Sequence, residues 1–135
     1  MNVEFLTTII ETFIPPQKQA RLLNFLWSDR RYTQLLHELL NDPRIFIPRT
    51  RTLLAEDERS VDAIYQRLHL LGADDLAYLV GDCPDYEDGA TADLRTLLEA
   101  CVGSEQDALI YCPTANAAYY EGHQGFPYLL APVGR

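Results

Sequence analysis

An α+β fold is predicted, with N-terminal helices packed against a C-terminal mixed four-stranded sheet of βαββ order. Three observations predict it. Residues 1–72 place apolar side chains at helical spacing. Residues 73–135 hold short apolar runs bounded by turn residues. One amphipathic segment, about 91–102, separates the first of those runs from the second. At 135 residues the chain fits a single domain (1–135), with a mainly helical half (1–72) and a βαββ half (73–135).

Phe5, Leu6, Ile9, Ile10 and Phe13 mark one face of the first helix, and Pro15-Pro16 ends it. Leu22, Leu23, Leu26 and Trp27 form the next stripe. Tyr32, Leu35, Leu36, Leu39 and Leu40 form another, stopped by Asn41-Asp42-Pro43. The pattern leaves open whether 17–40 is one bent helix or two. Residues 44–48 suit a short edge strand, and 49–59 read as a polar loop with at most one helical turn. Ser60 caps a helix whose buried face is Val61, Ile64, Tyr65, Leu68 and Leu71, with Gly72 as its stop.

The second half opens with a strand at 76–80, apolar enough to be buried on both faces. A loop of turn residues covers 81–89, and the helix follows. Strands are expected at 108–112, 117–121 and 126–131. A helical connection predicts a parallel relation between the first two strands, and short turns predict antiparallel pairing of the last three.

Charge divides the chain as the elements do. Residues 1–70 hold nine basic and nine acidic side chains, while residues 71–135 hold eleven acids against Arg95 and Arg135. The formal charge of −9 therefore belongs to the second half. Such a surface repels nucleic acid and anionic membranes and attracts basic surfaces. No apolar stretch is long enough to span a bilayer. Cys83, Cys101 and Cys112 form an odd set without a C-x-x-C pair. That argues against a disulfide framework and for a reducing cytoplasm.

Few constellations suggest chemistry. Asp82, Asp85, Glu87 and Asp88 crowd the loop after the first strand, where Asp82, Asp85 and Asp88 are the candidate ligands of a divalent cation. The EF-hand spacing fails, however, because Pro84 and Tyr86 fall on ligand places. A solvated loop with acids near a helix N-terminus is the simpler role. Parallel strands would bring this loop and Cys112-Pro113 to one end of the sheet and form a shallow pocket there. A Cys112–His123 pair is disfavoured, since the two turns lie at opposite ends of a meander. Arg44, Arg49 and Arg51 cluster, but local acids are their expected partners. Nucleotide-binding, hydrolase and metalloprotease motifs are missing, and Lys18 is the only lysine.

The expected function is that of a small protein-interaction module, an adaptor or an inhibitor of immunity type, docking a basic partner. Its candidate contact residues are Asp82, Asp85, Tyr86, Glu87, Asp88, Tyr119, Tyr120 and Glu121; adjacent Tyr119 and Tyr120 point to opposite sheet faces, which puts one of them on an outer face. No cofactor and no catalytic residue are expected. The alternative is a ligand- or metal-binding domain, or an enzyme, using loop 81–90. Self-association through an edge strand or the amphipathic segment 3–13 is the third reading.

Overall fold

Asn2 begins the first helix: its side-chain oxygen accepts a hydrogen bond from the Phe5 amide at 3.0 Å. The computed structural model describes residues 1–132, so Arg135 lies outside it. Helix α1 (Val3–Phe13) buries Leu6, Ile9, Ile10 and Phe13. Pro16 opens α2 (Pro16–Leu26), its fixed φ suiting a first helical position. A 3-10 turn at Asp29–Arg31 leads into α3 (Tyr32–Leu40), so 17–40 is two helices. Pro43 and Pro48 each start a 3-10 turn, and these replace the strand expected at 44–48. Phe46 is instead buried edge-on against Tyr120, with ring centres 5.4 Å apart. The true edge strand is β1 (Arg51–Leu53). Ser60 Oγ accepts from the Ala63 amide and caps α4 (Val61–Leu70) as expected. Gly72 follows with φ of 105°.

The second half supplies β2 (Leu76–Gly81), β3 (Thr91–Asp93), α5 (Leu94–Cys101), β4 (Ala108–Cys112), β5 (Ala117–Glu121) and β6 (Tyr128–Leu130). They form an α+β fold in which the N-terminal helical region packs against the sheet. Among the described residues the sheet has six strands in the order β1-β6-β5-β4-β2-β3, and each neighbouring pair is antiparallel. The expected parallel relation between β2 and β4 is therefore corrected. Thr91–Asp93, which the pattern assigned to the helix, pairs back along β2 with Leu76 opposite Asp93. This return brings the chain beside the start of β2, where the Leu94 amide donates to Asp75 O at 2.7 Å. Helix α5 then climbs the sheet, and β4 descends next to β2.

Both sheet faces are covered. Tyr78, Val80, Leu109, Tyr111, Ala118, Tyr120 and Leu130 meet α1–α3. Ala77, Leu79, Ile110, Cys112, Ala117, Tyr119 and Leu129 meet α4 and α5. The alternation within each strand is the period-2 pattern of a sheet between two helical layers. Hydrogen bonds tie the helical layer to the sheet region. Tyr120 Oη donates to Leu40 O at 2.6 Å, and the Asn2 amide donates to Tyr78 Oη at 2.8 Å. Tyr111 Oη donates to Asn116 Oδ1 at 2.8 Å, whose Nδ2 donates to Thr12 Oγ1 at 3.1 Å. Each such bond adds about 1 kcal/mol net, while burying one large apolar side chain adds about 1.5–3. Packing therefore holds the layers, and the polar contacts fix their register.

The apolar face of α1 is consumed by this chain's own core, which removes it as a self-association surface. Each edge of the sheet is a three-residue strand, too short to template a long pairing. Among the described residues, no helix is long and apolar enough to cross a membrane.

Candidate functional site

Antiparallel register decides which loops meet. Gly81 pairs with Ala108, and Ala108 with Glu121. Three segments therefore gather at one end of the sheet: 82–90 after β2, 103–107 before β4 and 122–127 after β5. The Asp82 amide donates to Asp107 O at 3.0 Å. Asp107 Oδ1 also accepts from the His123 amide at 2.9 Å and lies 2.8 Å from His123 Nδ1. Asp82, Asp85, Glu87 and Glu105 are exposed on this end, with Tyr86 half-buried and Phe126 54% exposed. The three segments contain no lysine or arginine.

The first loop is firmly attached. Asp88 is its anchor: Oδ1 accepts from the Gly81 amide at 2.7 Å, and Oδ2 accepts from Tyr32 Oη on α3. The Gly89 amide donates to Leu79 O at 2.8 Å. Asp85 turns the chain with φ of 70°, which a short polar side chain tolerates. Gly81 has φ of 99°, and a Cβ there would sit 2.4 Å from Asp107 O, so the loop needs glycine at its base.

Both Asp88 oxygens accept from protein donors, and no group of three or more His, Cys, Asp or Glu among the described residues is arranged to hold a metal ion. The expected strand-end pocket is corrected. Cys112 pairs with Ala117 at the opposite end of β4 from loop 82–90, because β2 and β4 are antiparallel. Cys112 and His123 are at opposite ends too, as the meander argument required.

Three of the expected contact residues are interior. Tyr119 is 2% exposed, Tyr120 0% and Glu121 4%. Tyr119 is covered by α4 and α5 and Tyr120 by α1–α3, so these residues cannot touch a partner. Glu121 instead organises the loop after α5. Its Oε1 accepts from the Gly103 amide at 2.8 Å and from Tyr119 Oη at 2.6 Å. Its Oε2 accepts from the Glu105 amide at 2.6 Å and from Ser104 Oγ at 3.3 Å. Burial, and then the hydrogen bond to Glu121, push the Tyr119 phenol far above its ordinary range. A cleft of about 190 Å3 lies beside this pair, with Arg59 and Pro127 on its walls.

Cys83 and Cys101 form a disulfide that ties loop 82–90 to the last residue of α5. The odd count hid this pair, and the expectation against a disulfide is corrected. Cys112 is buried on the sheet, and burial raises its thiol to about 12. A distinct labelling pattern is expected. The native protein should show no reactive thiol, the denatured unreduced protein one, and the reduced chain all three cysteines of the sequence. Reduction should lower stability by about 3 kcal/mol, the scale for a loop of this length. An unchanged denaturation midpoint in reductant would contradict the pairing.

Glu105, Asp107 and Phe126 complete the acidic end and were not among the residues singled out from sequence. The short turn expected between β4 and β5 was a usable signal. It forces the residues before β4 and after β5 to one end. Comparison with protein-family models, with curated proteins and with solved structures finds no match.

Proposed function

We propose that this protein is a protein-interaction module, an adaptor or an inhibitor of immunity type, that docks a basic partner through the three-loop end of its sheet. One observation carries the proposal. Segments distant in sequence place exposed Asp82, Asp85, Glu87 and Glu105 at one end of the sheet with Tyr86 and Phe126, and those segments contain no lysine or arginine. Acid groups of one sign raise the encounter rate with an oppositely charged surface, and aromatic side chains supply the desolvated contact. Tyr119, Tyr120 and Glu121 support this surface from beneath.

The compartment matters to the loop. In a reducing cytoplasm, the location the sequence favours, Cys83 and Cys101 would stand as thiols and the Asp88 contacts would hold the loop.

Paired capture tests the proposal. Wild type and a variant carrying D82N, D85N, E87Q and E105Q are immobilised, and native lysate is passed over both at low salt. A basic protein retained by wild type and lost by the variant is expected. Equal retention of the same protein by both baits would refute docking through this end. All four side chains are exposed, so the variant should keep the wild-type melting temperature.

A further inference from the structure

A groove of about 530 Å3 lies between α2 and α3, toward the end of α3 remote from Tyr32 and the acidic loop. That volume is within the size range of small-molecule sites. Its charges are uneven. Arg21 reaches Glu38 Oε1 through two nitrogens, at 2.8 and 3.2 Å. Arg44 closes on Asp42 Oδ2 through two nitrogens, at 2.7 and 2.9 Å. Each acid of the groove is therefore matched by one arginine. Hydrogen bonds from Arg44 hold the Asp42 carboxyl below its usual range, so that match persists near neutrality.

Lys18 lines the same groove, and no acid among the described residues lies within ion-pair distance of it. The groove thus retains one positive charge on a chain of net charge −9. His37 adds ring nitrogens, and Leu22 and Ile45 add apolar surface. A cation beside apolar wall, with neighbouring acids already neutralised, fits a ligand that is charged at one end only.

We propose that this groove binds a small organic anion, with its carboxylate or phosphate head on Lys18 and its apolar body against Leu22 and Ile45. The site is independent of the docking surface and uses none of its residues.

The test is a nuclear magnetic resonance titration of the full chain with octanoate, with phenyl phosphate and with octanol as the neutral control. One or both anions should shift the signals of Lys18, Leu22, His37 and Ile45, and octanol should not. Octanoate alone would assign a carboxylate ligand, and phenyl phosphate alone a phosphate. Lys18 is exposed, so K18Q keeps the core and should weaken anion binding about tenfold. E38Q frees the charge of Arg21 and should strengthen it. The opposite signs separate ligand recognition from a structural effect. No shift with either anion at about 10 mM would overturn the proposal, since that excludes even weak affinity. Equal shifts with octanol, or wild-type affinity in both variants, would also overturn it.

Discussion

Glu121→Ala should remove about 3–5 kcal/mol of folding stability, the largest single-residue effect this structure implies. The carboxylate is buried and accepts from the Gly103 and Glu105 amides, Tyr119 Oη and Ser104 Oγ. Truncation to alanine leaves two amides and a phenol without their acceptor. Each unsatisfied buried donor costs about 1–3 kcal/mol, and water entering the adjacent cleft offsets part of that. A domain of this size has about 5–15 kcal/mol in total, so the variant should be marginal. E121Q preserves shape but turns a donor toward donors, and should cost about half as much. Urea denaturation of both variants provides the check. A loss below about 1 kcal/mol in E121A would mean that the carboxylate does not organise residues 103–105.

Alkaline pH should unfold the protein steeply from just above pH 10. Burial raises the phenols of Tyr78, Tyr111, Tyr119 and Tyr120 above their ordinary value of 10.0. Tyr32 is raised as well, by burial and then by its bond to Asp88. The folded state therefore keeps protons that the unfolded chain releases. This contribution is fully present below the unfolded value near 10 and is lost as pH rises toward the folded values. At pH 11 each phenol held neutral costs about 1.4 kcal/mol relative to the unfolded chain. Tyr119 and Tyr120, the most strongly raised of the interior set, together remove about 3 kcal/mol. Phenolate absorbance and circular dichroism followed together should show the interior tyrosines titrating only with loss of structure. Complete titration near pH 10 in an intact fold would contradict this burial.

The helical half was legible because its signals are local. Pro15-Pro16, Ser60 and Gly72 act on their own neighbours, and the helices begin or end at them. The sheet's topology was not local. Thr91–Asp93 reads as a helix start, and only its pairing with Leu76–Tyr78 shows that the chain has turned back. That three-residue return reverses β4 and with it the end to which Cys112 belongs. The acids of loop 82–90 were visible as a run, but Asp88 alone among them is taken up by anchoring, a distinction set by Tyr32 on a distant helix. Tyr119, Tyr120 and Glu121 were misread because a short polar-aromatic strand resembles an exposed edge. Covering both faces requires α4 and α5 to share one side, which periodicity within each helix does not reveal. The Cys83–Cys101 pair depends on loop 82–90 folding over the end of α5, a tertiary event that a cysteine count does not report.

The most direct test of docking through the three-loop end is the association rate constant with the partner recovered by paired capture, measured across a salt series. The account predicts a rate that falls at least tenfold between about 20 mM and 500 mM salt for wild type and changes little for the D82N, D85N, E87Q, E105Q variant. Equal salt dependence in the two proteins would contradict it, and would mean that partner recognition lies elsewhere on the chain.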